Sequence, residues 1–347
     1  MAVREKARTA AKAHLALFDA TTLIAKAVKE QLVARSFPKA SVRLFTSRND
    51  PDANLTEFGG EAMLVTDPDI DALDGLDIAF LCGTPREGGL YLDWPARKGF
   101  VAIDLTSAAS EMEEIPLVNA AVNPEAISRR PGIIAIPHAV SQILSTLLAP
   151  VLRGPGLQQA AAVVFQPASG CGDEGIEELY QQTVGLLNFR EVPSAVFGRQ
   201  IAFNLVPTSL YGEGAVPGGA QPRALAREVQ RVTGGGYELS VEVVLVPVFH
   251  CHAVLLYLVL PSGATRTNLM TAFARSPEIR VAGPGEPATP VDEAGKPGIV
   301  LAGARQAREG SAFWIWAVTD DLQAGTALNA VRIAEYLLTP APGRGDA

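Results

Sequence analysis

The residue types that could do chemistry in this chain are concentrated in a few histidines and cysteines. His138 follows the apolar run GIIAIP at a predicted strand-to-helix turn, a common place for chemistry in α/β proteins. The turn reads HAVS over residues 138–141 and offers no thiol and no obvious activated nucleophile. Cys171 lies in a loop, where it is either small loop filler or a working thiol.

His250 and His252 lie two residues apart in an apolar run, so on a strand they would share one face. With His138 they could form a cluster. A transition-metal site would want a further ligand and ordered partners around it, so we predict no metal. Cys251 would face the opposite side of the same strand, in the core.

The elements that must position these residues follow from the apolar pattern. Short apolar runs alternate with helical spacing through the first 137 residues; they read HLALF, VRLFT, AMLVT, DIAFLCG, GFVAIDLT and GIIAI. This alternation predicts a parallel sheet covered on both faces, a Rossmann-like α/β domain. After a helix over residues 139–152, longer β-branched runs favour an α+β domain with a mostly antiparallel sheet. The final run, GTALNAVRIAEYLL, predicts an amphipathic helix.

Composition limits the classes of partner. The chain has 347 residues, enough for two domains, and a formal net charge of −8, which disfavours nucleic acid or an anionic membrane. It has three cysteines and no secretory leader, which favours a reducing cytoplasm. Because no apolar run reaches membrane-spanning length, we expect a soluble, cytoplasmic protein with no membrane contact.

Six stretches, in order and spacing, resemble the aspartate-semialdehyde dehydrogenase family, most closely its divergent Usg-like branch. They are VNPEAI (122–127), GIIAIPH (132–138), QPASGCGDEGIEEL (166–179), RQIAFNLVP (199–207), VPVFHCH (246–252) and AGTALNAVRIAE (324–335). The resemblance implies a Rossmann domain over residues 1–138 and a dimerisation domain over residues 139–323. Over residues 324–347 it implies a helix that returns to the first domain, followed by a tail. It also implies a homodimer and the NADPH-dependent reduction of an acyl phosphate to an aldehyde.

The resemblance places several functional positions on residues that cannot do the family's chemistry. The nucleophilic cysteine falls on Ala139, the substrate arginine on Leu245 and the phosphate-binding arginine on Ser110. The proton-transfer histidine is kept as His252. The family glutamine is kept as Gln166.

Two further substrate-facing positions of the family fall on one predicted helix. Glu228 keeps a glutamate, and Arg231 replaces a lysine. Because these two residues are three apart on the helix, they could instead pair with each other at the surface.

The nucleotide loop of the family is altered as well. Its Gly-x-x-Gly-x-x-Gly turn falls on Asp19, Thr22 and Ala25, with Ala20 and Thr21 between the first two. A carboxylate about 5 Å from a phosphate repels it by about 3 kcal/mol at an effective dielectric constant of about 20. Asp19 is instead suited to cap the following helix.

The remaining nucleotide contacts of the family fall on other parts of the chain. They correspond to Ser169 and Gly170, and an amide near the nicotinamide falls on Asp321. Because the glycine cradle is lost, we expect no nucleotide cofactor.

Because nucleophile, arginines and glycines are all replaced, we predict a protein that lacks the family reaction. Such a protein would bind a small molecule, a partner, or a subunit of a related dehydrogenase. The alternative is a divergent NADP-dependent semialdehyde oxidoreductase of amino-acid biosynthesis that relies on His252, Gln166 and Cys171.

Overall fold

The structure, a computed structural model, describes residues 12–47, 55–211, 221–307, 310–320 and 325–339. Asp321 and the predicted tail after Thr339 lie outside these ranges. Within them, no helix combines the length and the apolar character that crossing a membrane requires.

The described strands and helices alternate in the first part of the chain and form a strand-rich second part. The strands are β1 Ala13–Phe18, β2 Lys39–Phe45, β3 Leu55–Phe58, β4 Glu61–Leu64, β5 Ile78–Leu81, β6 Val101–Asp104, β7 Gly132–Ala135, β8 Gln159–Gln166, β9 Val206–Pro207, β10 Glu238–Leu245, β11 His252–Val259, β12 Ile279–Val281, β13 Ile299–Gln306 and β14 Ala312–Thr319. The helices are α1 Leu23–Ala34, α2 Pro85–Gly89, α3 Trp94–Lys98, α4 Ala139–Arg153, α5 Gly172–Leu187, α6 Pro222–Thr233, α7 Arg266–Ala274, α8 Pro290–Glu293 and α9 Thr326–Leu338.

The first sheet is parallel throughout, in the order β2-β1-β5-β6-β7. Its central strands read as continuous apolar runs because both faces are covered. Helices α1 and α9 supply the apolar cluster on one face, and a cluster that includes Tyr91 and Phe100 covers the other. The strand order reverses between β1 and β5, where the loops after both strands open a crevice.

The second sheet has seven strands in the order β12-β13-β14-β11-β8-β10-β9. Four of its neighbouring pairs are antiparallel, and the pairs β12–β13 and β8–β10 are parallel. Helices α4, α6 and α7 bury one face through a large apolar cluster. The prediction of a mostly antiparallel second sheet is therefore confirmed.

The last helix leaves the second sheet and packs on the first. The apolar side chains Ala327, Val331 and Ile333 of α9 enter the same cluster as β1 and α1. Asn329 stabilises the packing of α9 on the first domain, because its side chain accepts a hydrogen bond from the Ala120 amide at 2.7 Å and donates one to the Val118 carbonyl at 2.9 Å. The predicted return of the C-terminal helix to the first domain is confirmed.

One predicted strand belongs elsewhere. The run AMLVT was expected in the parallel sheet, but β4 pairs with β3 in a separate antiparallel hairpin. A parallel bridge between Phe45 and Thr66 joins the chain just after this hairpin to the edge of the first sheet. The division of the chain after residue 138 stays a prediction.

Candidate functional site

A cleft of about 610 Å³ lies where the carboxyl ends of the first sheet face the second sheet. Helices α1, α4, α5 and α9 all begin at this cleft, since residues of their first turns or caps line it. The N-terminal end of a helix carries a partial positive charge and unpaired N–H groups. Of the described residues that line the cleft, none is lysine or arginine. The cleft therefore presents helix dipoles and hydroxyl groups, together with the carboxylates of Asp173 and Glu174 in the first turn of α5, rather than fixed cations.

The turn before α4 is rigidly held. His138 is the N-cap, and its Nδ1 accepts a hydrogen bond from the Val140 amide at 3.2 Å. The His138 amide donates to Glu228 Oε2 at 3.0 Å, so α6 fixes this turn from the second domain. Ala139 is the first residue of α4 and lines the cleft. A methyl group thus occupies the helix N-terminus, where a thiol would be activated.

Four predicted site residues meet at the cleft beside this turn. His252 begins β11, Gln166 ends β8, and Ser169 and Gly170 follow in the next loop. His252 and Gln166 are each 1% exposed. Gly170 allows the close packing of this loop, because an added Cβ would lie 2.7 Å from Gln166 Nε2.

Ser169 differs from its neighbours in its hydrogen bonding. Its Oγ is buried and has no hydrogen-bond partner among the residues that the structure describes. A buried hydroxyl in a cleft lining is a group that a ligand or water would satisfy.

Cys171 also lines the cleft, at the N-cap of α5. Burial, and secondarily the nearby Glu178 carboxylate, raise the pKa of its thiol to about 12. Because the thiolate is the reactive form, the helix N-terminus does not activate this thiol near neutral pH. The geometry places Cys171 in the cleft but favours the unreactive thiol.

The prediction that His250 and His252 share one face of a strand is wrong. β11 begins only at His252, and Cys251 has a φ of +72°, which turns the backbone between the two histidines. His250 does not appear in the lining of the cleft, whereas Cys251 is buried as expected. No three His, Cys, Asp or Glu side chains converge on a possible metal position within the described ranges.

The structure places Arg231 and Ser110 outside the cleft lining. The Arg231 guanidinium donates to the carbonyls of Ser110 at 2.9 Å, Met112 at 3.0 Å and Glu113 at 3.2 Å, and also to that of Ile115. Its planar fork of donors therefore fastens α6 to the loop after β6.

The possible pair between Glu228 and Arg231 does not form, since Glu228 accepts from His138 instead. The sequence did not predict the bonds from Arg231 to the loop after β6. The only signal for them was the arginine at a position where the resemblance places a lysine. Leu245, at the position of the other family arginine, is 1% exposed and packs with Phe197 and Val206 in an apolar cluster.

The loops after β1 and β5, which line one side of the cleft, are held together by side chains. Thr22 Oγ1 donates to the Cys82 carbonyl at 2.8 Å and so joins the two loops. Asp19 has a φ of +55°, the left-handed conformation that glycine favours, and its Oδ1 accepts from the amide of Ser47 at 2.9 Å and its hydroxyl at 2.8 Å. Asp19 Oδ2 lies against Gly83, where an added Cβ would clash with it.

The prediction that Asp19 caps α1 is wrong, because the N-cap is Thr22, whose side chain accepts from the Ala25 amide at 3.3 Å. Ala20 is fully buried and Thr21 is half-buried in the same loop.

Comparison with known proteins agrees with the fold. The family described as "Semialdehyde dehydrogenase, NAD binding domain" matches residues 14–130, and "Semialdehyde dehydrogenase, dimerisation domain" matches residues 148–323. The chain belongs to the semialdehyde dehydrogenase family. The resemblance inferred from the sequence is thereby confirmed.

Relatives cover nearly the whole chain. Aspartate-semialdehyde dehydrogenase 2 of Vibrio cholerae is 28% identical over 94% of this chain and 97% of its own length. A USG-1 protein homolog of Azotobacter vinelandii is 26% identical over 93% of this chain and 97% of its own. A crystal structure of aspartate semialdehyde dehydrogenase II from Vibrio cholerae, complexed with ASA, superposes with a TM-score of 0.86 at 28% identity. It covers 94% of this chain and 98% of the other.

The matched NAD-binding family implies a nucleotide at the crevice between β1 and β5. A dinucleotide places its pyrophosphate over the glycine-rich turn after the first strand. Here that turn carries the buried Asp19 carboxylate and the Thr22 side chain, which is bonded to the Cys82 carbonyl, at positions where the resemblance places glycines. These residues do not fit a diphosphate in this conformation.

Proposed function

We propose that this protein is a semialdehyde dehydrogenase homologue that does not carry out the family's oxidoreduction and instead binds a small molecule in the cleft. The observation that carries the proposal is Ala139 at the N-terminus of α4, where the resemblance assigns the nucleophile. A methyl group cannot form the thioester, and the high pKa of the Cys171 thiol supports no substitute.

The chemistry of the lining supports a ligand that needs no fixed cation. Leu245 lies in a core cluster and Arg231 is engaged by backbone carbonyls, so neither supports anchoring of an acyl phosphate. Gln166, Ser169 and His252 offer amide, hydroxyl and imidazole groups close to helix N-termini. Because the carboxylates of Asp173 and Glu174 also line the cleft, this set suits a small neutral polar molecule with a carbonyl group.

Calorimetry and a turnover assay together test the proposal. We expect no measurable binding of NADP or NADPH at micromolar concentrations, and no absorbance change with aspartate semialdehyde, phosphate and NADP. Micromolar binding together with turnover that His252→Ala abolishes would overturn the proposal. Ala139→Cys is the matched variant: it returns a thiol to the helix, and we expect it to remain inactive because the arginines and the glycine turn are still absent.

One observation favours the alternative, a divergent NADP-dependent semialdehyde oxidoreductase of amino-acid biosynthesis. His252, Gln166 and Cys171 line one cleft together, as that reaction would require. The same turnover assay decides between the two, with Cys171→Ser as the informative variant, because only the alternative predicts an activity that this change removes.

We also propose a cytoplasmic homodimer formed through the face of the second sheet that α4, α6 and α7 leave uncovered. Half-buried aromatic side chains lie on this face, and two pairs touch: Tyr257 with Trp314 at 4.8 Å and Phe165 with Trp316 at 5.9 Å between ring centroids. A partly exposed aromatic face of this kind is typical of protein interfaces. Light scattering should give twice the chain mass, and Tyr257→Glu should give the monomer.

A further inference from the structure

A second cavity, of about 1060 Å³, lies at the C-terminal ends of α4 and α9. Helices α4 and α9 begin at the cleft, and the C-terminal halves of both line this cavity. Along α4 the lining of this cavity lies seven to fourteen residues after Ala139, so the two sites are about 10 to 20 Å apart. Residues 268–278, which run from α7 into the loop after it, and the loop over residues 120–127 close the remaining sides.

The walls combine prolines and small apolar residues with a nearly equal share of polar surface. Five of the lining residues are prolines, whose backbone is already restricted: Pro124, Pro150, Pro155, Pro261 and Pro277. Tyr336 adds an aromatic ring, held by the Arg129 guanidinium at 4.9 Å from its centroid. A preformed cavity between domains that offers both apolar and polar surface is a usual ligand site, because little order is lost when it is filled.

The charges on the lining favour an anion. Its three arginines outnumber its two glutamates, in a chain whose overall charge is −8. Both glutamates are already paired: Glu278 with Arg332 at 2.8 Å, and Glu335 with Arg35 at 2.7 Å.

The other two arginines differ in what they hold. Arg153 donates to the Val122 carbonyl. The exposed Arg275 guanidinium has no hydrogen bond or ion pair within the described part of the chain. One guanidinium at the rim is therefore available beside the apolar floor.

We propose that this cavity is a second binding site, for a small molecule with a flat apolar body and one anionic group. The ring system would lie on the prolines and Tyr336, and the anion would pair with Arg275. Such a ligand would contact both domains and would stabilise their arrangement when bound.

Fluorescence titration with anilinonaphthalene sulfonate tests this site, because the dye has an apolar ring system and one sulfonate. Arg275→Glu should weaken its binding at least tenfold, since attraction becomes repulsion. Thr271→Trp, at an exposed lining position on α7, should weaken binding similarly by filling the cavity. Arg305→Glu, an equal charge change at an exposed position outside the lining, should leave the dissociation constant within twofold.

Unchanged binding in Arg275→Glu or in Thr271→Trp, with melting temperatures that show both variants folded, would overturn the proposal. The uncharged dye N-phenylnaphthylamine tests the anionic requirement. If it binds the unmodified protein as tightly as the sulfonate does, the assignment of an anionic ligand is wrong. None of these readouts depends on the cleft, so they can fail while the proposed function stands.

Discussion

Although Arg231 lies at the surface, we predict that its guanidinium stabilises the loop after β6. The guanidinium donates to four backbone carbonyls of residues 110–115. Because the group is exposed, water can replace part of each bond, and we assign about 0.5 kcal/mol to each. Arg231→Ala should therefore make opening of this loop easier by about 2 kcal/mol.

Amide hydrogen exchange measures this change locally. The amides of Ser110, Met112 and Ile115 are bonded within the loop, so their exchange reports its opening. A change of about 2 kcal/mol corresponds to about 30-fold faster exchange. Arg231→Lys should give an intermediate, roughly fivefold increase, since one ammonium cannot satisfy four separate carbonyls.

Arg227→Ala is the matched control on the same helix. Arg227 forms a long, exposed ion pair with Glu111 at 3.8 Å, which contributes little to stability. We expect its loop exchange to match that of the unmodified protein. If Arg231→Ala exchanges no faster than Arg227→Ala, the guanidinium does not hold this loop and the reasoning is refuted.

Three further predictions concern single groups. Replacing Asp19 and Thr22 together by glycine should bring NADP binding from undetectable into the range that calorimetry measures, by removing about 3 kcal/mol of repulsion; a doubly substituted protein that still shows no binding would contradict the account of the crevice. Cys171, with its pKa near 12 against an ordinary 9.0, should be alkylated by iodoacetamide at pH 8 about a thousandfold more slowly than a free thiol, and peptide mass spectrometry would expose faster labelling. Burial lowers the pKa of Lys29, which donates to Thr56, so the unfolded chain binds more protons between that pKa and 10.5. Thermal unfolding should show the unmodified protein gaining stability over Lys29→Met as pH rises through this window, and a difference that falls with pH would contradict the burial.

Much of the fold follows from patterns that burial imposes on the sequence. HLALF and GIIAI are continuous apolar runs because β1 and β7 lie in a covered parallel sheet. GTALNAVRIAEYLL is apolar along one stripe because α9 packs on α1. Such signals are local, and periodicity captures them. The hairpin of β3 and β4 was misplaced because a short apolar run does not reveal its pairing partner.

The site was harder to predict where backbone geometry or partners distant in sequence determine the position of a side chain. Asp19 and Thr22 are both good cap residues, and only the start of helical geometry selects Thr22. The alternation expected for His250 and His252 fails because Cys251 adopts a positive φ. Arg231 binds carbonyls more than a hundred positions away in the chain, which no spacing rule reveals.

The most direct test of the central claim is a single-turnover experiment that looks for the covalent intermediate itself. The protein, in excess, is mixed with aspartate semialdehyde and NADP without phosphate, quenched in acid and weighed by intact mass spectrometry. We predict only the mass of the unmodified chain and no NADPH. An acyl adduct on any side chain, formed together with NADPH, would show that the chemistry survives without a thiol at residue 139.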